Sequence, residues 1–125
     1  GLLDTLAAIR AGLMPIWGCD IDQIAQSMWK DLVGSNCYGD VLTLPAESLR
    51  RPRVLKTGLP CLDYTGLRSQ AGARGETSHL YVKQAEIILR ISPDAVIIEQ
   101  SGNAPNINCG AEVRELISKL KEQYY

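Results

Sequence analysis

Thr57-Gly58-Leu59-Pro60-Cys61-Leu62-Asp63-Tyr64-Thr65 is a short approach that passes through a glycine and then sets a thiol beside a proline. A second segment, Ala95-Val96-Ile97-Ile98-Glu99-Gln100-Ser101, is a strongly apolar run that ends in a carboxylate. Each reads as a strand that hands the chain to a residue able to do chemistry. Helical patterns lie around and between them, and alternation of helix and strand argues a parallel α/β sheet. In such sheets ligands sit beyond the carboxyl ends of the strands, so a thiol and an acid delivered there can act on one substrate.

Upstream of these strands, Leu2, Leu3, Leu6, Ala7 and Ile9 recur at helical spacing within Leu2 to Leu13, and Gly12 supplies a stop. Met14 to Asp20 is the first strand candidate, confined by Pro15 to starting after that residue. Asp20 or Asp22 can cap the next helix, where Ile21, Ile24, Ala25, Met28, Trp29 and Leu32 form one apolar face and Gly34 ends the run. An extended piece is expected around Val41 to Leu44, then a polar connection from Pro45 to Pro52 and a strand over Arg53 to Gly58. The stretch from Leu62 to Glu76 holds Gly66, Gly72 and Gly75 and is expected to form a mobile loop. A helix follows over Thr77 to Ile91, stopped by Ser92-Pro93. Asp94 to Gln100 is a strand of the fully buried kind, with helices expected on both faces. After a turn-rich loop from Ser101 to Ile107, Asn108 can cap a last helix whose buried stripe is Val113, Leu116, Ile117 and Leu120.

A chain of 125 residues, 46% of them hydrophobic, is expected to form one domain spanning 1-125. Its formal net charge of -1 gives no electrostatic footprint for nucleic acid, so any contact with DNA is local or made elsewhere. Cys19, Cys37, Cys61 and Cys109 are unevenly spaced and His79 is the one histidine, which excludes a zinc-ligand pattern and predicts free thiols in a reducing compartment. No apolar run approaches the length of a membrane span and no basic n-region precedes an apolar core with a cleavage site, so a soluble, intracellular protein is expected.

The set Gly58, Pro60, Cys61 and Thr65, followed by the apolar strand into Glu99, resembles the cytosine-5 DNA methyltransferase family in its Pro-Cys loop and its later Glu-Asn-Val segment. The likeness extends upstream through Gly12, Ile16-Trp17-Gly18-Cys19-Asp20-Ile21-Asp22, Ala25 and Gly39-Asp40-Val41, which follow the family's cofactor half in order and rough spacing. The combination is specific; a Pro-Cys pair alone is not. The resemblance implies a three-layer Rossmann-like methyltransferase fold with a mostly parallel sheet. It also implies transfer of a methyl group from S-adenosylmethionine to C5 of cytosine in DNA, leaving S-adenosylhomocysteine.

Carried over residue by residue, the resemblance makes Cys61 the nucleophile that adds to C6 of cytosine, a role that suits a thiolate. Glu99 would donate to ring N3, and burial at the end of an apolar strand is expected to keep it protonated. In the cofactor half, Gly1 would be the last glycine of a Gly-rich turn, Asp20 would take the ribose, Ile21 would pack on the adenine and Asp40 would accept from its amino group, with Pro60 nearby. Each has a plainer reading beside it: a buried structural thiol for Cys61, an ion-paired strand end for Glu99, helix caps or turn formers for the aspartates. Arg50, Arg51, Arg53, Lys56, Arg68 and Arg74 could meet phosphates or could be solvated surface, and His79 reads as a surface or capping residue.

Three positions depart from the family pattern: Leu62 stands in place of glutamine, and Gln100 and Ser101 in place of asparagine and valine. The likeness covers nearly all of this chain but about half of the family's catalytic domain. The expectation is therefore a fragment, a divergent remnant or one partner of a split protein, with a complementing chain or self-association completing it and most of the DNA contact made by absent regions. The central strand of the family's sheet precedes the first helix, so the strands ending at Asp20 and Gly58 are expected to keep one unpaired edge each. The alternative to an enzyme is a catalytically idle interaction module that keeps the α/β scaffold.

Overall fold

The computed structural model describes residues 2–58, 79–100 and 110–124. Contacts divide the chain into two units, Gly1–Arg50 and Arg51–Tyr125. Each holds a pair of parallel strands with helices, so the α/β class and the parallel pairing expected from the sequence are present.

In the first unit α1 (Leu2–Arg10) leads into β1 (Trp17–Cys19), α2 (Gln23–Val33) and β2 (Asn36–Tyr38). The Asp22 carboxylate accepts from the Ile24 and Ala25 amides at 2.7 and 3.3 Å and so caps α2, which settles the choice between Asp20 and Asp22. Gly34 closes the helix in the left-handed region at φ 75°, with its N–H on the Lys30 carbonyl at 3.1 Å. The chain then enters β2 at once, and β2 pairs with β1 in the register Trp17↔Asn36, Gly18↔Cys37 and Cys19↔Tyr38. The strand is thus Asn36–Tyr38, and the extended piece expected at 41–44 is not one. Val41–Thr43 is a single 3-10 turn, wound because the Asp40 carboxylate captures the Leu42 amide at 2.9 Å.

The apolar face expected on α2 is split. Ala25 and Trp29 turn inward, and Trp29 lies so close over β1 that a Cβ on Gly18 would meet its ring at 2.9 Å. Ile21, Ile24, Met28 and Leu32 are exposed. The indole is held by its own Nε1, which donates to Ser35 Oγ at 3.1 Å.

The second unit carries the core. β3 (Val54–Gly58) pairs in parallel with β4 (Ala95–Glu99), in register from Val54↔Ala95 to Gly58↔Glu99. α3 (His79–Ile91) buries Tyr81, Gln84, Ala85, Ile87, Ile88 and Ile91, and α4 (Ala111–Tyr124) adds Leu116 and Leu120. Register and alternation assign Leu55, Thr57, Val96 and Ile98 to the face under α3, because Gln84 on that helix bonds Thr57. The opposite face holds Val54, Lys56, Gly58, Ala95, Ile97 and Glu99, and Ile97 is 55% exposed. The expectation that β4 is covered on both faces is therefore not met among the described residues. The last-helix stripe holds at Leu116 and Leu120, whereas Ile117 is exposed.

Among the described residues each strand has one strand partner. The 62–76 loop, the 101–107 loop and the Asn108 cap lie outside the described residues.

Candidate functional site

The carboxyl ends of β1 and β2 lie side by side because the two strands are parallel and in register. Asp20 follows Cys19, Gly39 and Asp40 follow Tyr38, and the Asp20 amide continues the ladder onto the Tyr38 carbonyl at 2.9 Å. One oxygen of Asp20 accepts from the Asp22 amide at 3.0 Å, and one oxygen of Asp40 accepts from Leu42. Both aspartates therefore do the local turn-forming work of their plainer readings. Among the described residues these bonds use one carboxylate oxygen of each, Oδ1, and leave Oδ2 to accept. Ile21, beside Asp20, is 76% exposed, an apolar surface next to two acceptors.

Two further contacts brace this end. Gln26 Nε2 donates to the Asp20 carbonyl at 2.8 Å, tying α2 to the turn. The Cys19 thiol lies 3.2 Å from the Gly39 carbonyl and donates to it across the two strands. Burial first, then the neighbouring Cys37, Asp20 and Asp40, push the Cys19 thiol up to about 11, so it remains a donor through the physiological range. Burial likewise raises Cys37. Both are free thiols, as expected.

The second unit presents the carboxyl ends of β3 and β4. Glu99 lies opposite Gly58, and a Cβ on Gly58 would come within 3.1 Å of Glu99 Oε2, so the glycine makes room for the carboxylate. The burial expected to keep Glu99 protonated is absent: its side chain is 71% exposed, with Lys56 Nζ 3.6 Å from Oε2. The cause is the alternation of β4, which turns Glu99 to the open face with Ile97. Gln100, the departure from the family's asparagine, has a partner that sequence reasoning missed, for Tyr81 Oη donates to its Oε1 at 2.7 Å. Its only sequence signal is the polar position 84 and the tyrosine one turn earlier on an otherwise apolar helix face.

The basic residues before β3 divide by partner. Arg51 and Arg53 pair with Asp94 at 2.7 and 3.4 Å, at the far end of β4 from Glu99, and the Arg50 carbonyl accepts from the Trp17 indole. Their first use is to fasten the start of β4. His79 is the exposed first residue of α3. Gly1, Pro60, Cys61, Arg68 and Arg74 lie outside the described residues. No cluster among the described residues could hold a metal ion.

Two parallel strand pairs, acceptors at the ends of one and a carboxylate at the end of the other, carry the order of residues through which a family model for C-5 cytosine-specific DNA methylase matches residues 4–125. The chain belongs to the C-5 cytosine-specific DNA methylase family. No curated protein matches it. Membership implies methylation of cytosine at C5 in DNA, and this C-5 cytosine methylase chain corresponds to the N-terminal part of the family's domain. Among the described residues of the methylase chain no helix is long and apolar enough to cross a membrane.

Proposed function

We propose that this chain supplies the cofactor-binding and nucleophile-bearing part of an enzyme that methylates C5 of cytosine in DNA, on a Rossmann-like methyltransferase fold. The observation that supports it most is the pair of open acceptors, Asp20 and Asp40, at adjacent strand ends with exposed Ile21 beside them. A nucleoside fits that donor set: ribose hydroxyls and an exocyclic amine both donate, and an apolar side chain covers a flat ring. S-adenosylmethionine would be held there by Asp20, Ile21 and Asp40, with Gly1 and Pro60 contributing by resemblance. When bound, it supplies an electrophilic methyl group.

The residues of the second unit handle the cytosine. The Cys61 thiolate forms a bond to C6, and the ring electrons shift so that C5 becomes nucleophilic. The Glu99 carboxyl, exposed to solvent, takes up a proton from water and donates it to ring N3, which draws electrons from the ring as the thiolate adds. Its exposed position leaves the carboxyl accessible to a base displaced from the helix stack. After C5 carries the methyl group, water takes the C5 proton, the thiolate departs from C6 and the N3 proton returns to Glu99, which restores the ring and the free Cys61. Gly58 keeps a side chain away from the place where Glu99 works.

The test is methyl transfer to cytosine-containing duplex DNA by the full-length protein, with Cys61→Ser as the control. Transfer by wild type and none by the serine variant supports the proposal. Equal transfer by both sinks it, and absence of both cofactor binding and transfer favours the idle-module alternative.

A further inference from the structure

Two polar atoms on the α3 face of the second unit are buried without a hydrogen-bond partner among the described residues: Gln84 Oε1 and Gln100 Nε2. An unmet buried amide group is costly and uncommon, and each instance asks for a reason. Gln84 is 3% exposed, in the middle of a helix face otherwise made of Tyr81, Ala85, Ile88 and Ile91. A residue that merely filled this place would be better as Met or Leu, which leave no acceptor unmet.

What Gln84 does instead is hold Thr57. Its Nε2 donates to Thr57 Oγ1 at 3.0 Å, and one turn earlier Tyr81 Oη donates to Gln100 Oε1 at 2.7 Å. Thr57 immediately precedes Gly58 and Gln100 immediately follows Glu99, the facing pair at the open end of the sheet. Hence α3 reaches the ends of both strands by side-chain hydrogen bonds, on the sheet face that register also gives to Leu55, Val96 and Ile98. Such bonds fix direction and register, which apolar contact does not.

We infer that Tyr81 and Gln84 are positioning residues: through Thr57 and Gln100 they set where the Gly58–Glu99 pair stands, and so where the carboxylate of the proposed reaction is presented. The assignment rests on the proposed methyl transfer for its consequence but on the structure alone for its geometry, and the two are tested separately. Gln100 then marks a change of support, since its side chain is anchored to α3 through Tyr81.

The experiment compares full-length wild type with Gln84→Met and, as a milder change, Tyr81→Phe, reading amide hydrogen exchange and thermal midpoint without ligand. The expected result is exchange about three- to tenfold faster at Gly58 and Glu99, with the amides of Ala85 and Ile88 unchanged and the midpoint of Gln84→Met kept or raised. A Thr57→Val change should give the same local effect and add nothing to Gln84→Met. Unchanged exchange at Gly58 and Glu99 in both variants overturns the inference, as does a fall in midpoint with faster exchange throughout α3. If wild type transfers methyl groups, kcat should fall by about the same factor with KM held; equal kcat overturns the inference. If wild type transfers none, the functional proposal fails while the exchange comparison still decides the positioning role.

Discussion

Replacing Gly18 with alanine puts one methyl group where the structure has no room for it. The added Cβ would lie 2.9 Å from Trp29 Cε2 and 3.0 Å from Cδ2 and Cε3, against the 3.4–4 Å of ordinary contact. The ring cannot simply swing aside, because Nε1 is bonded to Ser35 Oγ at 3.1 Å. Forcing extra volume into a packed contact costs about 1–3 kcal/mol, and the reduced freedom of the unfolded chain returns about 0.4–1 kcal/mol, so a net loss of about 1–2 kcal/mol is expected. At about 4–8 °C per kcal/mol for a unit of this size, the thermal midpoint should fall by roughly 5–15 °C. Circular dichroism through the thermal transition measures it. The paired variant Gly18→Ala with Trp29→Leu should lose less than the two single changes sum to, because the leucine yields the space. An unchanged or higher midpoint in Gly18→Ala would refute the claim that the indole is clamped on β1.

Three further outcomes follow from the strand ends. Asp20→Ala should weaken S-adenosylmethionine binding by about tenfold or more, measured by isothermal titration, because a hydrogen bond to a charged acceptor is lost; equal affinity removes Asp20 from the proposed site. Gly58→Ala should leave stability, read by denaturant titration, within about 0.5 kcal/mol of wild type, since the exposed Glu99 carboxylate can shift with its Lys56 partner away from a new methyl, yet should depress methyl transfer; undiminished transfer would show that the Glu99 position is not used. Burial raises the Cys19 thiol above its unfolded value of 9.0 to about 11, so the unfolded chain loses that proton first and stability falls as pH rises from about 9 to 11. Denaturant titration across that range should show a smaller fall in Cys19→Ala than in wild type, and an equal fall contradicts the buried-thiol assignment.

How far the sequence could be read depended on how local the cause was. Asp22, Gly34 and Asp40 act within a few residues of themselves, so capping chemistry places the start and end of α2, although the turn at 41–43 that Asp40 winds reads from the sequence as extended chain. β2 went unseen because Asn36–Tyr38 has no alternation of its own and becomes a strand by pairing with β1. Periodicity on α2 showed an apolar face but not which half of it turns inward, since Trp29 is chosen by the space above Gly18. The same limit applies at Glu99: an apolar run argues burial, whereas the exposure of alternate residues is decided by what covers each face of β4. Asp20 was legible as an acceptor at a strand end because a polar residue after an apolar strand marks such a place, whereas Asp40 was named by resemblance alone, the strand before it being unseen. The Tyr81–Gln100 and Gln84–Thr57 bonds span 19 and 27 residues, and no local pattern announces them.

The central claim, that Cys61 forms a bond to C6 of cytosine while Glu99 assists at N3, is tested most directly by trapping that bond. In duplex DNA carrying fluorine at C5 of the cytosine, the ring cannot shed the C5 substituent as a proton, so the thiolate cannot leave once the methyl group has been added. Mass spectrometry of the full-length protein incubated with this DNA and S-adenosylmethionine should find the oligonucleotide attached to the peptide containing Cys61. The adduct should be absent in Cys61→Ser and should form about 10²–10³-fold more slowly in Glu99→Gln. No adduct with an otherwise folded, cofactor-binding wild type, or an adduct that persists in Cys61→Ser, would contradict the account.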